Sequence, residues 1–143
     1  FSAIVILGLF SLGVTAGGVR LPLTTWLTLF STLLLGALPF CAMGLMFGYA
    51  LAPNAAPAVL NLVYLPMAFL SGLWIPIQLL PEFVQNIAPA LPPYHYAQLA
   101  LQTIGASDNQ SSWLHVAMLL GFTLLFLALA AFFYRRDEGK TYG

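Results

Sequence analysis

The sequence TTWLTLFSTLLLGALPFCAMGLMFGYA, residues 24–50, decides the class of the fold. It contains no charged residue, and it lies inside a longer uncharged stretch that runs from residue 21 to residue 81. A helix needs about 20 apolar residues to cross the roughly 30 Å hydrocarbon layer of a membrane. Residues 24–50 therefore have the length and composition of a membrane span. Trp26 and Tyr49 stand near its two ends, where aromatic residues are enriched in membrane helices.

The rest of the chain is likewise apolar and poor in charged residues. Only 6% of the 143 residues are charged and 61% are hydrophobic, whereas soluble domains carry about 25% charged residues. The net charge is zero, which gives no attraction to nucleic-acid phosphates. The single cysteine excludes an internal disulfide and a cysteine-based metal cluster. The composition thus predicts an integral membrane protein and excludes an ordinary soluble domain, a disordered chain and a nucleic-acid binder.

The charged and helix-breaking residues divide the chain into segments. We predict an all-α polytopic bundle of about four membrane helices within a single transmembrane domain. Arg135, Arg136 and Lys140 follow the last apolar segment, so the positive-inside rule predicts a cytoplasmic C-terminus. Because the chain begins without a methionine, we expect it to be a fragment. The predicted spans are 1–16, 24–50, 58–79 and 112–134, followed by a cytoplasmic tail at 135–143.

Residues 76–105 interrupt this pattern with five prolines. The stretch is too broken for one span and too apolar for a water-exposed loop. We predict that residues 81–104 form two short external helices that dip into the outer leaflet and return, with Gly105 ending the second helix. A plain interfacial loop is the alternative. The candidate residues of this re-entrant element are Pro76, Pro81, Phe83, Ile87, Pro92, Pro93 and Tyr94.

Two residue stripes mark the predicted spans. The first consists of small residues that allow helices to approach closely, and we predict a packing role for Ala37, Cys41, Gly44 and Gly48. The second contains polar and small residues on a proline-interrupted helix. It either lines a pathway or subunit seam, or makes hydrogen bonds within one bundle, and the residues alone do not separate the two. Its members are Asn61, Tyr64, Ala68, Ser71 and Gly72.

The sequence contains no constellation that predicts catalysis. His95 and His115 are 20 residues apart without an acid or cysteine to complete a metal site or a triad, so we expect them to be interfacial polar residues. No charged residue is expected at mid-membrane depth, which disfavours an ion-coupled carrier. We predict no catalytic, cofactor or metal site, and this disfavours an intramembrane enzyme. A non-transporting membrane scaffold or assembly subunit is the alternative to a transport role.

Four motifs follow one another from Asn61 onward: NLVYLPMAFLSGLWIP at 61–76, the Leu80-Pro81 pair, LPPYH at 91–95 and YRRDE at 134–138. Their order and spacing resemble the type-2 ATP-binding-cassette (ABC) transporter permeases over about Leu21–Gly143. The resemblance implies six spans per permease, of which this chain lacks the first two. It also implies that 81–104 are external re-entrant helices near the exit of the pathway. The span at 58–79 is then expected near the permease–permease seam.

The resemblance further implies a function. The expected role is the membrane permease subunit of an ATP-driven exporter. The expected substrate is an amphiphile of drug-like, lipid or glycan type, moved across the cytoplasmic (inner) membrane of a prokaryote. The implied partners are an ABC ATPase subunit, a second permease copy in a homo- or heterodimer, and the lipid bilayer, with no nucleic acid. ATP and Mg are expected on the partner ATPase, and no cofactor on this chain.

Overall fold

The computed structural model describes residues 2–106 and 111–141, with side chains as far as Arg136. These residues form helices joined by short turns, and no strand occurs among them. Two 3₁₀ turns, at Ile77–Leu79 and Ala88–Ala90, flank the shortest α-helix. The predicted all-α fold is confirmed. The α-helices are α1 (Ser2–Thr15), α2 (Leu23–Gly36), α3 (Leu38–Ala50), α4 (Ala56–Leu70), α5 (Glu82–Ile87), α6 (Pro92–Thr103) and α7 (Ser112–Thr141).

Two parts of the described chain are long and apolar enough to cross a membrane. They are Leu23–Ala50, which comprises α2 and α3, and Ser112–Arg136 of α7. Helices α1 and α4 are also apolar, but they contain 14 and 15 residues, fewer than the about 20 that a span needs. The architecture is a membrane helix bundle, and the assignment of α1 and α4 as spans stays a prediction.

The junction between α2 and α3 interrupts the longest apolar element. Pro39 lies in the first turn of α3 and has no amide hydrogen, so it cannot donate to the Leu35 carbonyl as a regular helix residue would. The amides of Phe40 and Cys41 both donate to the Ala37 carbonyl at 3.1 Å. The two helices are therefore joined by a tightened turn at Ala37.

The main packing contact of the bundle is between α3 and α7, while α6 packs against both α7 and α2. Ala42 and Met43 of α3 are buried, as are Leu119 and Ala130 of α7. The two alanines among them are small residues, which allow helices to pack closely. The centre of the bundle is therefore the α3–α7 contact, and α6 lies beside it.

The predicted small-residue stripe lies beside this buried face of α3 rather than on it. Ala37 is half-buried, whereas Cys41 and Gly48 are exposed. Gly44 is near α4, because a Cβ atom added there would lie 3.8 Å from Leu60 Cδ1. A packing role for Cys41 and Gly48 stays a prediction.

The end of α2 generates a prediction about the contact between α2 and α6. A Cβ atom at Gly36 would lie 2.6 Å from Tyr96 Cδ2, so alanine forces the ring or the helix to shift. We expect Gly36→Ala to lower the free energy of unfolding by roughly 1–3 kcal/mol. Thermal unfolding of the detergent-purified protein measures this. The matched control is Gly121→Ala in α7, where an added Cβ meets nothing within 4 Å. Equal melting temperatures for the two variants would contradict the close contact.

Candidate functional site

The C-terminus of α4 is built to stop a helix inside an apolar sequence. The Leu73 amide donates to the Ala68 carbonyl at 3.2 Å, and the Gly72 amide donates to the Phe69 carbonyl at 3.3 Å. Gly72 has a φ of +78°. This pair of bonds with a left-handed residue is the Schellman motif, which glycine adopts without a Cβ penalty. Helix α4 thus ends at Leu70, whereas the predicted span continued to residue 79.

Ser71 takes part in the same helix end. Its hydroxyl donates to the Met67 carbonyl at 2.7 Å and approaches the Ala68 carbonyl at 3.2 Å. Ser71 is only 2% exposed, and its hydroxyl hydrogen is directed into α4. Of the predicted polar stripe, Ala68 and Ser71 are buried, Tyr64 is half-buried and Asn61 is exposed. The stripe is therefore not one continuous surface.

The predicted external helices have different environments. Val84 of α5 and Ala88 directly after it are buried, while Phe83 and Ile87 of α5 are 64% and 48% exposed. In α6 the buried residues are Pro92, Pro93, Tyr94, His95 and Gln98. Of the candidate re-entrant residues, Pro76, Pro81, Phe83 and Ile87 are thus on the surface, and Pro92, Pro93 and Tyr94 are inside. Helix α6 is therefore largely buried in the bundle, whereas α5 lies at its surface beside the end of α4.

His95 and His115 meet in the interior, although we expected them at an interface. Their Nδ1 atoms are 2.9 Å apart, and the side chains are 2% and 0% exposed. His95 Nε2 is 2.8 Å from the Pro89 carbonyl oxygen. A carbonyl can only accept, so His95 Nε2 carries a proton. With both rings neutral, His115 Nδ1–H then donates to His95 Nδ1. This chain of bonds ties α6 to α7.

An aromatic cluster joins α6 to α3 and α4. The Phe40 ring lies 5.6 Å from Tyr96 and 5.9 Å from Tyr64, both in edge-to-face geometry, which is a favoured arrangement of aromatic rings. Burial, and secondarily the nearby Tyr64 phenol, raise the pKa of Tyr96 above its ordinary value of 10.0. The Tyr96 hydroxyl therefore keeps its proton at neutral pH and can donate a hydrogen bond.

A cavity of about 500 Å³ lies between α6 and the chain that follows α4. Its volume is within the roughly 300–1,000 Å³ of small-molecule sites. Leu33 of α2 completes its wall. We call it the α6 cavity, and its lining includes Ser71, Gly72, Trp74, Gln78, Tyr96 and Gln98.

The sequence predicted one wall of this cavity and missed the other. Ser71, Gly72 and Pro76 were candidate residues, and all three line it. Tyr96 and Gln98 were not candidates. The available signal was the spacing of His95, Gln98 and Gln102, which places three polar residues along one face of an otherwise apolar helix. Within the described ranges, no group of three His, Cys, Asp or Glu residues is placed to hold a metal ion.

The chain is similar to a protein described as "Putative transport permease YvfS" of Bacillus subtilis (strain 168). The two are 27% identical over 130 residues, which are 91% of this chain and 52% of the relative. The chain therefore spans about half the length of the curated relative that it matches. No protein-family model and no solved structure matches the chain. The similarity confirms the resemblance to transport permeases that the motifs indicated.

The histidine pair generates a second prediction. Removing one partner of a buried hydrogen bond costs about 1–3 kcal/mol, so His95→Ala and His115→Ala are each expected to destabilise the protein by that amount or more. The double variant is expected to lose less than the sum, with a coupling of roughly 0.5–3 kcal/mol. A double-mutant cycle measured by thermal unfolding in detergent tests this. Strictly additive losses would show that the two rings do not interact.

Proposed function

We propose that the protein is the membrane permease subunit of an ABC-type, ATP-driven exporter that moves an amphiphilic substrate. The observation that carries the proposal is the 27% identity to a transport permease over nearly the whole chain. The ABC type rests on the motif order from Asn61 to Pro93, which resembles that class. The α6 cavity supports a transport role because it offers a volume suited to a small molecule beside a helix end.

The energy for transport is proposed to come from a partner subunit. The sequence has no charged residue between Arg20 and Glu82, and ion-coupled carriers typically place an acid or base inside the membrane. The proposed partner is an ABC ATPase that binds ATP and Mg²⁺, and this chain itself binds no cofactor. The positions of Arg135 and Arg136, directly after the apolar part of α7, favour a cytoplasmic C-terminus in the inner membrane of a prokaryote.

The proposed seam with a second permease copy is the outer face of α4. Leu62, Leu65 and Phe69 are 72%, 50% and 46% exposed there. Asn61 lies next to them and is also exposed. An exposed amide among apolar side chains is better satisfied against another polypeptide than against lipid. This gives the predicted stripe a division of roles, with Asn61 at the seam and Ser71 at the α6 cavity.

The third prediction concerns the partner ATPase. We expect the full-length protein to copurify with an ATPase subunit from its native membrane. ATP turnover by the reconstituted complex is expected to rise when an amphiphilic substrate is added. A hydrolysis-deficient ATPase variant is the control, since it should bind the permease and show no turnover. Copurification without stimulation by any amphiphile would favour the scaffold, and the absence of an ATPase would exclude the ABC proposal.

The fourth prediction tests the seam. Cys41 and every cysteine of the full-length protein outside residues 1–143 are replaced by serine. Single cysteines are then introduced by Leu62→Cys, Leu65→Cys or Phe69→Cys. A short bismaleimide reagent in native membranes is expected to link two copies at these positions. Leu124→Cys in α7 is the matched control, because Leu124 is 67% exposed on a helix outside the proposed seam. Equal yields at Leu62 and Leu124 would contradict the placement of the seam.

A further inference from the structure

A groove of about 330 Å³ lies between α2 and α7 and is distinct from the α6 cavity. Among its lining residues, Gly36 and Pro39 are buried, and their small side chains leave the space at its floor. Leu35 of α2 and Leu120 of α7 also line it, and they are 63% and 51% exposed. The groove, which we call the α2–α7 groove, is therefore open to the surroundings of the bundle.

The lining of the α2–α7 groove is apolar, although four of its residues are serine or threonine. The hydroxyls of Thr28, Ser31 and Thr123 donate to backbone carbonyls of their own helices at 2.9, 2.9 and 2.7 Å. Because these hydrogens are directed at the helix backbone, the described lining offers mostly carbon surface to an occupant. A polar group would lose its hydration there without gaining these donors. The groove thus fits hydrocarbon.

The length of the groove matches one leaflet of a bilayer. Its α2 side extends from Thr28 to Leu38, which is about 15 Å at the helical rise, and half of the roughly 30 Å hydrocarbon layer is also about 15 Å. Trp26 and Trp113 lie within one helical turn before Thr28 and Val116, the first lining residues of α2 and α7. Since tryptophan is enriched at membrane interfaces, the groove extends from an interface towards the middle of the membrane.

The surface beside the groove continues its apolar character. Leu27 and Leu124 are adjacent in sequence to the lining residues Thr28 and Thr123, and they are 58% and 67% exposed. They belong to the two parts of the described chain that are long and apolar enough to cross a membrane. The groove is therefore continuous with a surface that faces lipid.

We propose that the α2–α7 groove holds one acyl chain of a bilayer phospholipid, which completes the packing between α2 and α7. The surrounding bilayer is as apolar as the groove, so the preference of the chain for the groove comes from van der Waals contact with its floor. This inference goes beyond the proposed transport function and does not depend on a partner ATPase.

Photolabelling from within the bilayer tests the occupant. The full-length protein is placed in nanodiscs of phosphatidylethanolamine and phosphatidylglycerol with a trace of the same lipids carrying a diazirine. The diazirine is in the middle or at the end of one acyl chain, so that both depths are sampled, and labelled residues are located by tandem mass spectrometry. We expect roughly 3- to 10-fold more label at Leu120 than at the more exposed Leu124, as about five to ten extra carbon contacts would give.

Variants that fill the groove provide the decisive comparison. Ser31→Phe and, from the opposite wall, Thr123→Phe are expected to reduce the label at Leu120 to the level at Leu124. The matched controls are Ser31→Ala and Thr123→Ala, which lose the same hydroxyls but leave the groove open, and they should keep the label. Thermal unfolding verifies that each variant is folded.

Three results would overturn the proposal. Equal label at Leu120 and Leu124 with both probes would make the groove ordinary lipid-facing surface. Label at Leu124 without label at Leu120 would assign the groove to a protein segment of the full-length chain or of a partner. Label at Leu120 that persists in both phenylalanine variants would show that the chain lies outside the groove. Copurification with an ATPase tests the transport function separately and affects none of these results.

Discussion

The hydrogen bond between His95 and His115 fixes the one helix on which the candidate site depends. Helix α6 has a polar face, and burying such a face in an apolar bundle costs less where its polar groups are paired. The 2.9 Å contact to α7 and the 2.8 Å contact from His95 to the Pro89 carbonyl supply that pairing. Water is nearly excluded at both rings, so the bonds act in a low dielectric and are costly to break.

The position of α6 determines the neighbouring contacts. One residue after His95, Tyr96 lies against Gly36, where no side chain larger than hydrogen fits without a shift, and it completes the ring cluster with Phe40. Three residues after His95, Gln98 lies on the cavity wall. The cavity wall opposite α6 has a less regular backbone. Residues 71–78 contain a helix end and the start of a 3₁₀ turn, so few regular backbone bonds hold them. The 71–78 wall is therefore expected to open locally at a lower free-energy cost than the α6 wall.

The sequence predicts the fold class and one helix end but not every helix boundary, and each difference has a physical cause. Hydropathy and charge spacing predict the all-α fold because every residue contributes to them. Gly105 was predicted to end a helix, and its φ of +72° agrees. The end of α4 was misplaced because the apolar sequence continues past Gly72, although a glycine after serine is a helix-stop signal in its own right. Hydropathy reports burial in lipid or protein, and it does not report backbone conformation.

The spacing of residues along the sequence does not show which side chains of α5 and α6 contact the rest of the bundle. Phe83 and Ile87 share one helical face, and Val84 and Ala88 share the next, so periodicity permits either face to be buried. The smaller pair faces inward. The histidine pair joins residues 20 positions apart in sequence, and its formation depends on how α6 meets α7 rather than on either local sequence.

His95 and Gln98 lie on one polar face of α6 but differ in whether their buried polar atoms are hydrogen-bonded. Both side chains are more than nine-tenths buried, so both lost hydration when the bundle formed. His95 recovers its hydrogen bonds from the protein on both ring nitrogens, and this holds the helix in place. Gln98 Oε1, on the same helix, has no hydrogen-bond partner among the described residues. An unpaired buried acceptor costs about 1–3 kcal/mol of stability. The histidine therefore adds to the stability of the α6 position, whereas the buried glutamine acceptor subtracts from it, and the contact of α6 with α7 must offset that cost.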